Sequence, residues 1–286
     1  MKKILVTGAN GQLGQCLQKI SSQFEEFEFI FTDSETLDIT NKEEVNDFFW
    51  QNAPDFCINA AAYTAVDLAE TDIEKAFLVN ADGTENLAEA CADNNAQFIH
   101  VSTDYVFDGE NNLAYTEEDF TNPLGVYGAS KLAGDELALE VNPCSVILRT
   151  SWVYSEFGKN FVKTMLNLFA TKEELNIVAD QFGQPTNAND LAEAIMKIIK
   201  SEKITPGIFN FSNLGRISWF DFAEKIAELS EAKIKLNAIE TSQYPTPAKR
   251  PKNSVLDLDK ISKTYAIQLK PWEESLEDCV QILQNN

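Results

Sequence analysis

The strongest constraint on the fold lies at the start of the chain. Lys3-Ile4-Leu5-Val6-Thr7 is a short apolar run that passes straight into Gly8-Ala9-Asn10-Gly11-Gln12-Leu13-Gly14, and then into a helical pattern through Leu17 and Ile20. A run without polar alternation has to be covered on both faces, as a central strand of a parallel sheet is. The glycines that follow allow a tight turn and let a pyrophosphate approach the free N–H groups at the helix start. The spacing is G-x-x-G-x-x-G, one residue longer between the first two glycines than the dinucleotide fingerprint. Its place between a strand and a helix is the context that motif requires, so Gly8, Gly11 and Gly14 read as cofactor-binding.

The same unit recurs along the chain. Phe27 to Thr32 reads as a second strand ending at Asp33, which follows Gly14 by 19 residues. That is close to the ~20 at which an acid meets the adenosine ribose hydroxyl. A carboxylate there suits a free 2′-hydroxyl and repels a 2′-phosphate. With Lys42 the only close cation, Asp33 leans towards NADH while leaving NADPH and dual use open. Asp38 precedes a helix over Lys42 to Gln51, and either accepts from the adenine amino group or caps that helix. Asp55 to Asn59 is a third strand, running into the small residues Ala60-Ala61-Ala62 and Tyr63-Thr64, which admit a flat ligand close to the backbone. Helical periodicity covers Glu70 to Asn94, with Val79-Asn80 and Leu87 inward. Phe98 to Thr103 is the fourth strand, with Ser102-Thr103-Asp104 at its carboxyl end, where ligands bind in open α/β sheets. His100, the only histidine, reads as a core residue of that strand. Ser145 to Thr150 is the fifth. Five strands alternating with helices over about 150 residues mean an α/β, doubly wound parallel sheet in residues 1–150, followed by a smaller C-terminal substrate-binding region in 151–286 from which the chain may cross back. That second region reads as helices over Asn160 to Ala170, Asp190 to Lys200, Trp219 to Leu229 and Trp272 to Leu283, with a strand at Gly207 to Phe211.

Catalytic chemistry concentrates at Tyr127-Gly128-Ala129-Ser130-Lys131. Four residues apart on a helix, Tyr127 and Lys131 share a face. An ammonium beside a phenol favours the phenolate, lowers its pKa and makes the pair usable as a general acid/base. With a glycine loop and a hydroxyl at a strand end, these are the parts of a hydride-transfer site.

Charge excludes two classes of partner. Lys+Arg number 23 against 45 Asp+Glu, a net −22, which argues against nucleic acid and anionic membranes. No apolar run approaches the ~18 residues of a membrane span, and Met1-Lys2-Lys3-Ile4 leads into a strand without a cleavable leader. The five scattered cysteines, with no Cys-x-x-Cys, read as reduced thiols in the cytoplasm with no metal or disulfide framework. An anionic ligand needs local cations, and Arg250, one of three arginines, stands beside Lys249 and close to Lys252.

Together these residues resemble the extended short-chain dehydrogenases/reductases, and within them the dTDP-4-dehydrorhamnose reductase family. The likeness runs nearly end to end. It rests on Gly8 to Gly14, Asn59 to Asp67, Ser102 to Gly109, Tyr127 to Lys131, Arg149 to Tyr154, Gln181 to Thr186 and Tyr244 to Ser254, with the Arg149 and Tyr244 stretches the most specific. The resemblance implies a Rossmann-type fold and reduction of the C4 ketone of a nucleotide sugar by NADPH or NADH. It implies Tyr127 as acid, Lys131 as its partner and as a holder of the nicotinamide ribose, and Thr103 on the reacting oxygen. Asp104, Trp152 and Arg250 would meet the substrate. Gly11, Gln12, Leu13, Gly14, Asp33, Asp38, Ile39, Ala62, Tyr63 and Thr64 would line the cofactor. Some relatives carry Mg2+ at a dimer contact; no acidic cluster supports a metal here, and the assembly is a monomer or homodimer.

Two other readings share the fold. A nucleotide-sugar dehydratase carries Asp-Glu after the strand-end threonine, whereas Asp104 is followed by Tyr105; an epimerase would consume no net reduced cofactor. A non-catalytic subunit, like the regulatory subunit of methionine adenosyltransferase, would not need the Tyr127, Lys131 and Thr103 set. Tyr127→Phe is expected to bind cofactor normally and lose turnover by orders of magnitude. Near-normal turnover in that variant removes Tyr127 from the acid role.

Overall fold

The computed structural model describes residues 1–285. Its centre is a six-stranded sheet of β1 (Lys2–Thr7), β2 (Phe27–Phe31), β3 (Phe56–Asn59), β4 (Gln97–Thr103), β5 (Val146–Thr150) and, after a strand β6 (Glu174–Val178) elsewhere, β7 (Gly207–Asn210). The order is β7-β5-β4-β3-β1-β2 and every pairing is parallel. The direction of travel reverses at β1, which opens a crevice beyond its carboxyl end. The sixth strand comes from the C-terminal half of the chain, so residues after 151 do return to the sheet.

Side-chain alternation explains the two helical layers. Ile4, Val6, Ile58, Ile99, Leu148 and Phe209 face α1 (Gln12–Ser21), α6 (Ala188–Ile199) and α8 (Asp259–Tyr265). Leu5, Cys57, Phe98 and Ile147 face α2 (Lys42–Asn52), α3 (Gly83–Asp93) and Ala138 of α4 (Val126–Val141). A separate apolar cluster holds the remaining C-terminal elements. Val162 and Met165 of α5 (Phe161–Phe169), Phe222 and Ile226 of α7 (Trp219–Leu229), and Trp272 and Leu276 of α9 (Trp272–Gln284) pack there with Tyr154 and Ile177. In this lobe β6 pairs in parallel with β8 (Lys235–Ile239).

One sequence expectation needs correction. Residues 70–94 are not one helix: a turn at Val66–Ala69 and a helix at Ile73–Phe77 lead into a π-turn at Leu78–Asp82 before α3 begins. The wide turn drives Asn80 into the interior, where it has no exposed surface. Its amide accepts from the Tyr63 N–H (2.8 Å) and donates to the Tyr63 carbonyl (3.1 Å) and to Ser130 Oγ (3.0 Å). A regular helix would not carry that side chain to both partners, and three hydrogen bonds compensate for the poorer backbone geometry.

The π-turn and α4 approach so closely that a methyl group at Gly134 would stand 2.1 Å from the Asn80 carbonyl oxygen. Gly→Ala inside a helix ordinarily gains up to ~1 kcal/mol. Gly134→Ala is expected to lose about 1–3 kcal/mol instead, because α4 has to move off the turn, read as a lower urea midpoint at unchanged slope. A higher midpoint contradicts the packing described.

Candidate active site

At the carboxyl end of β1 the glycine loop folds back on the sheet. Gly8 has φ of 68°, and a methyl there would lie 2.6 Å from the Ala61 nitrogen, so the loop and the Ala60-Ala61-Ala62 segment are in near backbone contact. A methyl on Gly14 would meet the Gly8 carbonyl oxygen at 2.4 Å. Gly11 caps α1 without any side-chain hydrogen bond, which leaves N–H groups of the first turn facing outward. A cleft of about 370 Å3 opens here, lined by Gly8, Gly11, Asp33, Asp38, Ile39 and Ala62 among others. A loop without room for side chains, uncapped N–H groups and an acid at the end of β2 match the pyrophosphate and ribose of a dinucleotide.

The side chains refine the expected cofactor set. Asp33 accepts from Thr36 Oγ1 (2.9 Å) and the Thr36 and Glu35 N–H groups on one oxygen and from Asn10 Nδ2 (2.6 Å) on the other. The Thr36 hydroxyl bond comes first among the causes that hold its pKa below the ordinary carboxylate value. Asp38 does not cap α2; Asn41 does, accepting from the Glu44 N–H, while Asp38 closes a local turn with Thr40. Leu13 points into the core. Gln12 is bound to Asn160 Nδ2 (2.8 Å), Ser155 and the Val153 carbonyl. Contacts of residues 12 and 13 with a cofactor would therefore come from their N–H groups. The backbone of Tyr63 is clamped by Asn80 and its hydroxyl donates to Asp72 at 3.2 Å; Thr64 is exposed.

The catalytic candidates meet beside this cleft. Thr103, the last residue of β4, is buried; its hydroxyl donates to Asp104 Oδ1 (3.1 Å) and accepts from the Tyr105 N–H (3.2 Å). Asp104 is buried with Oδ2 lacking a partner, and burial pushes its pKa up to about 7. Tyr127 stands partly buried on the first turn of α4, its ring packed edge-on against Tyr105 at 5.5 Å. Lys131 is buried one turn further on, with Nζ 2.8 Å from the Val101 carbonyl oxygen and 3.0 Å from His100 Nε2.

The expectation that Lys131 lowers the Tyr127 pKa does not hold for the chain alone. Burial pushes the phenol up to about 12, with the Thr103 hydroxyl acting against it. Burial of the ring is the dominant cause, and Lys131 Nζ is engaged by the Val101 carbonyl and His100 Nε2. Burial also brings Lys131 down to about 8, opposed by Asp135. His100 is a core residue, as its place in a strand implies, but it also touches Lys131. Apolar flanks hid that contact, and the π-turn hid the partners of Asn80, whose inward position the periodicity does give.

On the far side of Tyr127 lies the second lobe. Trp152 is held at φ of 47°, a costly backbone conformation for a bulky residue. Its ring stacks on Trp219 at 3.5 Å and 9°, and a methyl on Gly183 would strike it at 2.5 Å. One face of Trp152 is thus occupied by Trp219, a residue not singled out in the sequence. A groove of about 420 Å3 next to it is lined by Phe161, Met165, Ile177, Gln181, Trp219 and Arg250, among others. Arg250 is not a free cation: Nη1 and Nη2 bind the two Asp67 oxygens at 2.8 and 2.9 Å, fastening the 244–254 segment to the turn after β3. Lys249 and Lys252 line an adjoining groove. Among the described residues, no group of three or more His, Cys, Asp and Glu side chains is placed to hold a metal ion, and no helix is long and apolar enough to cross a membrane.

Comparison with known proteins places this architecture. Residues 1–285 match the family model described as RmlD substrate binding domain. The dTDP-4-dehydrorhamnose reductase of Aggregatibacter actinomycetemcomitans is 45% identical, over 97% of this chain and 98% of its own. A crystal structure of a dTDP-4-dehydrorhamnose reductase from Clostridium acetobutylicum superposes with a TM-score of 0.94 at 43% identity, covering 99% of each chain. The Bacillus anthracis reductase, solved in complex with NADP, gives 0.95 at 38% identity, covering 99% of this chain and 100% of that one.

The position of Asp104 has a cost that depends on pH. Its folded pKa lies above the ordinary carboxylate value, so the fold favours the protonated acid and loses stability as pH rises towards about 7. Asp104→Asn, which imitates the neutral acid, is expected to melt above the parent protein at pH 8, with the margin shrinking towards pH 5. A margin independent of pH would contradict the burial argument.

Proposed function

The chain belongs to the dTDP-4-dehydrorhamnose reductase family, and we infer that it reduces the C4 ketone of dTDP-4-dehydro-6-deoxy-L-mannose to dTDP-L-rhamnose, as an NAD(P)H-dependent oxidoreductase and as the last step of dTDP-rhamnose formation. The observation that carries this reading is that Tyr127 and Lys131 of α4 stand against the carboxyl end of β4, where the Thr103 hydroxyl meets the Tyr127 phenol and Lys131 Nζ reaches the Val101 carbonyl, in the same fold edge that carries the glycine-lined cleft.

The cleft is assigned to the cofactor. Gly8, Gly11 and Gly14 with the N–H groups of Gln12 and Leu13 hold the pyrophosphate, Asp33 and Asp38 the adenosine end, Ile39, Ala62, Tyr63 and Thr64 the walls, and Lys131 the nicotinamide ribose. When bound, the reduced nicotinamide supplies the hydride. Tyr127 then serves as the acid: its phenol, kept protonated by burial, gives its proton to the oxygen of the ketone as that oxygen becomes an alkoxide. Thr103 orients the same oxygen, and Lys131 stabilises the phenolate left on Tyr127. Asp104, Trp152 and Arg250 position the sugar nucleotide. Residues 1–150 form the cofactor half and residues 151–286 mainly the substrate half. The five free cysteines, four of them buried, suit a reducing compartment, and we place the enzyme in the cytoplasm.

For the cofactor we propose use of both forms with a lean to NADH, supported by the Asp33 carboxylate in the cleft. The test follows loss of reduced-nicotinamide absorbance with dTDP-4-dehydro-L-rhamnose and each cofactor in turn. Stoichiometric oxidation with dTDP-L-rhamnose as product is expected; a folded, cofactor-binding protein that oxidises neither sinks the reading. Asp33→Ala is expected to move the NADPH/NADH rate ratio towards NADPH by about tenfold, ~1.4 kcal/mol. An unchanged ratio takes the ribose contact away from Asp33.

A further inference from the structure

His100, the only histidine of the chain, lies in the middle of β4 with no exposed surface. Its Nδ1 is 3.0 Å from Asn59 Nδ2; its Nε2 is 3.0 Å from Lys131 Nζ and 3.7 Å from Asp135 Oδ1. A main-chain group decides which way the Asn59 amide points. The Ala61 N–H donates to Asn59 Oδ1 at 3.1 Å, and the Thr7 hydroxyl donates to the same oxygen at 2.8 Å. The end of the amide that faces the imidazole is therefore its NH2, which only donates. His100 Nδ1 has to accept, so the single proton of the neutral ring sits on Nε2. A second proton on Nδ1 would set N–H against N–H. Burial and the charge of Lys131 act in the same sense, holding the ring's pKa well below its ordinary value.

An N–H cannot accept a hydrogen bond from an ammonium. The two side chains fit each other when Lys131 is the neutral amine, its lone pair accepting from Nε2–H while one of its own N–H groups donates to the Val101 carbonyl. We propose that His100 is a positioning residue of the catalytic pair, held by Asn59 as a permanent Nε2–H donor that loosens Lys131's hold on its proton and gives the amine a partner once the proton has left. The charged and titratable groups facing this pair are few. Tyr127, Lys131 and Asp135 come from α4 and Arg149 from β5, with Arg149 Nε 3.3 Å from Asp135 Oδ2; Asn59 of β3 and Thr84 of α3 are neutral. Asp135 favours the ammonium, but its other oxygen is committed to Arg149. Burial brings Lys131 down to about 8, with Asp135 opposing it, and the Nε2–H facing Nζ acts in the same sense as burial.

The inference rests on Tyr127 and Lys131 being the catalytic pair, and its test is chosen to be read without turnover. Protein carrying no histidine tag and labelled with 15N in the imidazole gives the signals of a single ring. Between about pH 6 and 9 the neutral Nε2–H tautomer is expected throughout, its two nitrogens moving in one titration at about 8 that is absent from Lys131→Met. An Nδ1–H tautomer, an imidazolium forming in that range, or a titration that survives Lys131→Met overturns the proposal, whatever the activity. In the alkaline limb of the kcat profile, which reports the macroscopic ionisation of the pair, His100→Gln should move the limb up by about one pH unit or more, since the glutamine carbonyl accepts from the ammonium. A fall in kcat with the limb unmoved reduces His100 to packing and overturns it. Should that variant not fold, the titration of the unaltered protein decides alone.

Discussion

Four inner strands of a parallel sheet covered by helices on both faces have almost no side turned to water, and the polar groups that chemistry needs must gather where the strands end. Thr7, Asn59, Thr103 and Thr150 are the last residues of β1, β3, β4 and β5, and all four are buried. Each finds a partner along the same edge: Thr7 with Asn59, Thr103 with Asp104, Thr150 with Thr186. This polar seam joins the glycine loop to the second lobe, and both clefts open from it. The site is thus a consequence of covering the sheet twice.

Beneath the seam, the fold carries charge at a cost. Lys131, Asp135 and Arg149 are all buried, and Asp135 Oδ1, Arg149 Nη1 and Asp104 Oδ2 lack hydrogen-bond partners. Buried ionic groups rarely add net stability, so the apolar layers on the two sheet faces have to offset them. What this arrangement achieves is a set of displaced pKa values at one edge: a phenol that keeps its proton, a carboxyl close to neutrality and a lysine ready to discharge. Groups shifted in opposite senses within a few ångströms are what a proton-donating site requires, and stability is exchanged for that readiness.

Legibility from the chain alone divides by range. Strands such as Leu5-Val6 or Ile147-Leu148 announce themselves because a doubly buried strand leaves no polar alternation, and Tyr127 and Lys131 share a face by helical period alone. Asn80 was less legible. It sits in a stretch of good helical periodicity, and only the requirement to reach Tyr63 and Ser130 together widens the turn. Arg250 read as a cation awaiting an anion, yet its partner is Asp67, 183 positions away. Trp152 read as a substrate contact, and Trp219 from a later helix, which nothing local announces, covers one face of its ring.

The sequence by itself determined the alternation of strands and helices, the glycine loop, the acid at the end of β2, and the shared helix face of Tyr127 and Lys131, because each is set by neighbours within a turn or a strand. Tertiary structure alone decided what opposes each of those groups. It brought Gly207–Asn210 back as the sixth strand, spent the side chain of Gln12 on Asn160, and placed His100 and Asn59 under Lys131. The charge a side chain carries depends on desolvation and on partners a few ångströms away in space. Those partners come from strands and helices far apart along the chain, and no local spacing encodes their distance.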